Sequence, residues 1–144
     1  MIAIRHTGLV TKDINKSLKF WNKFLKFKIY KKMDESGKLI DQIMLYENVR
    51  VQTYKLADKN NFLLELLYFK NAPKSKKQDI KPYSNGFTHI SLTVKNLNKL
   101  YKFLKSKNIK FNSKPQISED GKVIMTYCRT PEGAYLELVQ EINK

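Results

Sequence analysis

Cysteine occurs once in 144 residues, as Cys128, so no disulfide framework can form within the chain. A reducing, cytoplasmic compartment is the natural expectation. No apolar run approaches the roughly 20 residues that span a bilayer, which excludes a membrane-crossing helix. The opening MIAIRHTGL carries none of the basic, apolar and cleavage regions of a secretory signal, so neither export nor a membrane partner is expected. Arginine is scarce too. The net charge of +15, from 28 basic against 13 acidic residues, would suit nucleic acid. Yet only Arg5, Arg50 and Arg129 are arginines, and readers of bases and phosphates favour the bidentate guanidinium. Lys12, Lys16, Lys19, Lys23 and Lys26 recur every three or four residues, which is the solvated stripe of an amphipathic helix. No nucleic-acid partner is expected, and steering of an anionic small molecule stays open. Histidine is limited to His6 and His89.

What is present is enough apolar sequence, 42%, for one domain or two small modules sharing a core. The chain also repeats itself. RHTGLVTKDINKSLKF, from Arg5, lies over THISLTVKNLNKLYKF, from Thr88. His6, Leu9, Lys12, Asn15, Lys16, Lys19 and Phe20 each meet an identical residue at the same offset. Leu64-Glu65-Leu66 likewise returns as Leu136-Glu137-Leu138. Such duplication sets the architecture before any single motif does.

Each half predicts a strand (about 3–11 and 87–95), then a helix capped by Asp13 or Asn96. Three strands follow each helix: roughly 28–34, 40–47 and 49–69, with a break at 58–61, and then about 109–113, 123–129 and 134–140. Asp34–Gly37 and Thr130–Gly133 read as turns. The expected fold is α+β: duplicated βαβββ modules forming a curved-sheet cup. Module 1 covers about 1–69 and module 2 about 87–144, joined by a proline-bearing linker at about 70–86 in a single domain. Trp21 reads as helix core and Cys128 as a small strand hydrophobe.

The two glutamates are the chemical anomaly. FLLELLYF sets Glu65 among seven apolar or aromatic residues, and YLELV does the same for Glu137. A bare carboxylate buried there loses several kcal/mol of solvation, so it takes up a proton or finds a partner. Strand alternation puts Glu65 opposite in face to Leu64 and Leu66, and Glu137 opposite to Leu136 and Leu138. His89 shares a face with Ser91 and Thr93, away from Ile90, Leu92 and Val94, and the repeat places His6 likewise. If the two curved sheets form one cup, the four residues meet inside it. Taken singly, a strand histidine is usually a hydrogen-bonded structural residue and a buried glutamate usually pairs with a base. Taken jointly, both histidines and both strand glutamates fall at matching repeat positions. Two imidazoles and two carboxylates suit one divalent transition metal: Ni, Zn, Co, Mn or Fe.

HTGLVTKDINKSLKFW, LLELLYF, GFTHISLTVKNL and YCRTPEGAYLELVQ, in that order, resemble the vicinal-oxygen-chelate (glyoxalase, bleomycin resistance and dioxygenase) superfamily. The resemblance implies paired βαβββ modules, often in a homodimer, around a metal that keeps two positions for adjacent substrate oxygens. The set His6, Glu65, His89, Glu137 is similar to that of bacterial glyoxalase I. It implies a metal-dependent lyase or isomerase that transfers a proton next to a carbonyl through a metal-bound enediolate, with Glu137 or Glu65 as the base. Methylmalonyl-CoA epimerase is similar but usually has glutamine at the position of Glu65, and antibiotic-binding relatives lack the ligands. Acyl-CoA epimerisation and non-catalytic binding are the alternatives. Glyoxalase I has an arginine where this chain has Val10 and an asparagine where it has Phe69, so the resemblance does not extend to its glutathione contacts. Arg50 and Arg129 are candidates to grip a substrate carboxylate or phosphate, with a surface ion pair as the alternative for each.

Overall fold

The computed structural model describes residues 1–142, so the last two residues of the second module lie outside the described residues. The chain divides into two compact units, Met1–Lys77 and Gln78–Lys144. The boundary falls inside the linker, whose residues 71–85 are in neither helix nor strand.

In the first unit, β1 (Thr7–Val10) leads into α1 (Ile14–Leu18), which widens into a π-helical turn over Lys19–Phe24. Then come β2 (Lys28–Glu35), α2 (Lys38–Met44), β3 (Val51–Ala57) and β4 (Leu63–Phe69). The second unit holds β5 (His89–Thr93), α3 (Leu97–Ser106), β6 (Gln116–Ile117), β7 (Val123–Arg129) and β8 (Tyr135–Glu141). The fold is α+β, with two four-stranded mixed sheets ordered β1-β4-β3-β2 and β5-β8-β7-β6. In each sheet the unit's first strand pairs parallel with its last, and the other pairings are antiparallel.

Both helix starts follow from their caps. The Asp13 carboxylate accepts from Lys16 N at 3.0 Å and the Asn96 side chain accepts from Lys99 N at 3.0 Å, satisfying a backbone donor that the first helical turn leaves free. Gln140 on β8 also accepts from Leu97 N at 2.7 Å, tying α3 to its sheet. The first helix buries Ser17, Phe20 and Trp21, and Phe27 follows it; Ile14, Leu18 and Leu25 are only half-buried. The π turn adds a residue to the helical period, which rotates two consecutive aromatics, Phe20 and Trp21, toward the core. Trp21 sits edge-on to Phe20 at 5.2 Å and to Phe27 at 5.4 Å. Leu56, Leu64 and Leu66 complete that core; Leu97, Leu104, Cys128, Leu136 and Leu138 fill the other unit. All five of those lysines are exposed, as their spacing predicted, although only Lys16, Lys19 and Lys23 are helical; Lys12 precedes the helix and Lys26 follows it.

Two expected strands are corrected. Residues 40–47 are not a strand: Lys38–Met44 is helix α2. Leu39, Ile40, Ile43 and Met44 carry helical spacing, and Asp41 accepts from Asn48 N and Val49 N at 3.0 and 2.8 Å, which folds the chain back after Leu45 takes a left-handed φ of 60°. The segment 49–69 supplies two strands, divided at the expected break, where Asp58 accepts from Asn60 N and Phe62 N. Residues 109–113 form only a single bridge, Phe111 to Cys128. Pro115 cannot donate to the ladder, and pairing resumes at Gln116 opposite Met125. The Thr130–Gly133 turn closes with Gly133 N donating to Thr130 O at 3.0 Å, and Gly133 takes a φ of 92° that other residues rarely adopt. Among the described residues no helix is long and apolar enough to cross a membrane.

Candidate metal centre

Parallel pairing of the first and last strands brings a histidine and a glutamate together in each unit. Gly8 lies opposite Glu65 and Ser91 opposite Glu137. Two residues back along the strand, on the same face, stand His6 and His89. The duplication in sequence therefore becomes a duplication in space. His6 Nε2 lies 3.7 Å from Glu65 Oε1, and His89 Nε2 lies 3.4 Å from Glu137 Oε2. These separations are too long for ordinary hydrogen bonds. The glutamate side chains keep 13% and 16% exposure, while Leu64, Leu66, Leu136 and Leu138 point the other way into the cores.

The donors fit a divalent cation. Two ligands at about 2.1 Å from one ion stand about 3.0 Å apart when adjacent in an octahedron and about 3.4 Å apart in a tetrahedron. The His89–Glu137 separation of 3.4 Å equals the tetrahedral spacing, and the His6–Glu65 separation of 3.7 Å is slightly wider than either. The four expected ligands gather as two pairs, one in each unit; among the described residues no three His, Cys, Asp or Glu side chains cluster as one metal group.

The neighbours of the two pairs differ. Glu137 stands opposite Tyr127 on β7, whereas Glu65 stands opposite Lys55 on β3. Lys55 Nζ approaches Glu65 Oε2 to 3.9 Å. Burial and the Glu137 charge push the Tyr127 hydroxyl above the usual tyrosine range. The Tyr127 ring leans on the His89 imidazole, centroids 5.3 Å apart. His89 Nδ1 lies 3.1 Å from Thr88 Oγ1, a contact that orients the ring, while His6 Nδ1 is buried with no hydrogen-bond partner among the described residues. Lys55 and Tyr127 escaped the reading of the sequence, because only the register of β3 and β7 brings them beside the glutamates.

The arginines sit elsewhere. The Arg129 guanidinium donates to Gly133 O at 2.7 Å and Ile80 O at 2.8 Å and stacks on Tyr135 at 3.9 Å. It fastens the linker to its sheet. Arg50 lines a cavity of about 190 Å³ with Asp34, Glu35, Ser36, Val51 and Lys70. There the Lys70 ammonium lies 3.3 Å from the Asp34 carboxylate and holds it below the usual range. Cys128 is wholly buried, and desolvation pushes its thiol up to about 12.

Known proteins resemble this chain in sequence and in fold. Residues 3–138 match the family model of the Glyoxalase/Bleomycin resistance protein/Dioxygenase superfamily. The lactoylglutathione lyase of Schizosaccharomyces pombe is 28% identical over 96% of this chain, and the chain spans about half of that relative, 47%. A glyoxalase family protein from Bacillus cereus superposes with a TM-score of 0.89 at 13% identity, over 99% of this chain and 96% of that one. The trypanothione-dependent glyoxalase I of Leishmania major gives a TM-score of 0.66 at 20% identity, over 98% and 88%. At such identities the two structures speak for the fold alone.

Proposed function

The chain belongs to the glyoxalase, bleomycin resistance protein and dioxygenase superfamily, and on that premise we propose that it is a divalent-metal-dependent lyase or isomerase of glyoxalase I type. The observation that carries this reading is the duplicated pair: His Nε2 within 3.7 Å and 3.4 Å of a glutamate oxygen at matching positions of two sheets. Similarity to a lactoylglutathione lyase over nearly the whole chain supports the reaction type.

His6 and Glu65 in the first unit and His89 and Glu137 in the second are the proposed ligands of a divalent Ni, Zn, Co, Mn or Fe ion. Bound there, the cation supplies Lewis acidity to a substrate carrying neighbouring oxygens. The chain's own residues handle the proton. Glu137 accepts it from the carbon next to the carbonyl and returns it to the adjacent carbon. Tyr127, kept neutral by its raised pKa, stands on the neighbouring strand as a hydroxyl donor and not as a competing base. Glu65, 3.9 Å from Lys55 Nζ, serves as a ligand and not as the proton acceptor. Thr88 holds the His89 ring in orientation. The functional unit is a cytoplasmic homodimer.

Glutathione recognition is a separate matter. Val10 is exposed on β1 and Phe69 packs toward Tyr46, ring centroids 6.3 Å apart. Neither makes the charged or amide hydrogen bonds that glyoxalase I is expected to use there, so the native substrate is an anion of another kind. Elemental analysis of protein purified without chelator tests the proposal, with about one divalent ion per chain expected from the four ligands. His89→Ala should release it, and full occupancy in that variant would remove the ligand assignment. Turnover is then screened on dicarbonyl–thiol adducts and acyl-CoA thioesters, which separates glyoxalase chemistry from acyl-CoA epimerisation.

A further inference from the structure

Charge along one cross-strand row of the first sheet is unbalanced. Directly opposite residues of neighbouring strands share a face. Lys31 on β2 pairs with Lys55 on β3, Lys55 pairs with Glu65 on β4, and Glu65 pairs with Gly8 on β1. Two ammonium groups therefore face one carboxylate. Like charges placed directly opposite destabilise a sheet. The register that produces this pairing is set by a bulge, with Tyr30 the extra residue between Ile29 and Lys31. Lys32, the next residue, turns to the other face, its Nζ 5.4 Å from the ring centre of Tyr54. The corresponding row of the second sheet has Tyr127 where the first has Lys55, so no lysine stands opposite Glu137.

Lys55 is also poorly placed for a purely structural role. Its side chain is only 17% exposed, yet Nζ stays 3.9 Å from Glu65 Oε2, beyond hydrogen-bond reach. An ammonium held that deep gains from a closer anion.

We infer that Lys55, backed by Lys31, is an anion subsite that takes the carboxylate of a small α-oxo or α-hydroxy acid. The inference rests on the metal reading of the preceding section and supplies its substrate class. Lys55 and Lys31 set two positive charges against the single negative charge of Glu65, an excess that a monoanion would balance. A carboxylate beside a carbonyl or hydroxyl presents the neighbouring oxygens that the reaction needs. It also places one of them next to Lys55.

The test uses oxalate as the probe, a dianion with adjacent oxygens, titrated calorimetrically into the full-length protein with its metal content measured beforehand. Lys55→Gln should keep the metal and weaken oxalate binding about tenfold or more, the loss expected for one hydrogen bond to a charged group. Lys55→Arg should restore most of it, and Lys31→Gln should show a smaller loss in the same direction. Equal oxalate affinity in wild type and Lys55→Gln would overturn the subsite. So would loss of metal in Lys55→Gln, because Lys55 would then be positioning Glu65. A wild-type protein with no metal but with Lys55-dependent oxalate binding would sink the metal reading while leaving the subsite standing.

Discussion

Glu65→Gln and Glu137→Gln are the same substitution at equivalent positions of the two sheets, and they should differ in stability. Each removes one negative charge and nearly conserves volume. At Glu65 the change leaves Lys55 without its counter-charge and still opposite Lys31. Breaking a fully buried ion pair costs about 3–5 kcal/mol, whereas exposed pairs contribute about 0–1 kcal/mol. With exposures of 17% and 13% and a separation of 3.9 Å, the Lys55–Glu65 pair falls between these limits. A destabilisation of about 1–3 kcal/mol follows for Glu65→Gln. Glu137 faces a neutral tyrosine and no lysine, so its variant should lose less than Glu65→Gln does. Chelator-treated protein in urea at pH 7 is the assay. The midpoint should fall by about 0.5–1.5 M for the first variant, given the usual slopes, and by less for the second. Lys55→Met should then cancel most of the Glu65→Gln penalty in a double-mutant cycle. Equal midpoints for the two glutamine variants would show that Lys55 and Glu65 do not interact energetically, and the charge argument would fall with it.

The catalytic roles lead to further measurements. Glu137→Gln should retain the metal and lose about 10²–10⁴ in kcat, the usual contribution of a positioned base; unchanged turnover would take the base role from Glu137. With an anionic substrate, added salt should lower kcat/KM and leave kcat nearly constant, and duplex DNA should elute well below physiological salt. Tight retention there would restore the nucleic-acid reading. With the methylglyoxal–glutathione adduct, activity should be weak; a kcat/KM near about 10⁷ M⁻¹s⁻¹ would make the protein a glutathione-dependent glyoxalase. Finally, burial raises the Cys128 thiol from its ordinary 9.0 to about 12 in the fold, so its contribution is fully present below pH 9 and is lost as pH rises toward 12. Alkaline unfolding followed by circular dichroism should therefore be shallower in Cys128→Ala, and an identical pH profile would contradict the buried thiol.

The repeat made most of this legible before any coordinates. Matching His and Glu positions, the caps at Asp13 and Asn96, and the alternation around Glu65 and Glu137 are all local patterns, and each stands where periodicity placed it. Most of the failures share one cause: tertiary partners are not written in local sequence. Residues 40–47 contain as much apolar material as a strand, and only the Asp41 contacts with Asn48 and Val49 commit them to a helix and its return. Residues 109–113 have strand composition but meet β7 at one bridge, because the chain reaches Pro115 before a ladder can form. The π turn moved the buried face by a fraction of a period, which no count of hydrophobic spacing anticipates. Lys55 was one lysine among 25 until the register of β3 set it against Glu65.

Pairing the first strand of each sheet with its last also governs when the site can exist. β1 lies next to β4 and β5 next to β8, while the strands between them close through shorter connections. Hairpin-like neighbours form quickly, and contacts between distant segments pay their loop-closure entropy late. On the ribosome His6 emerges near the start of its unit and must wait for Glu65, near the end, before the two can meet. Each His–Glu pair thus comes together late, with the longest-range pairing of its sheet. A metal held by such a pair would stabilise a unit that has already closed and would not nucleate it.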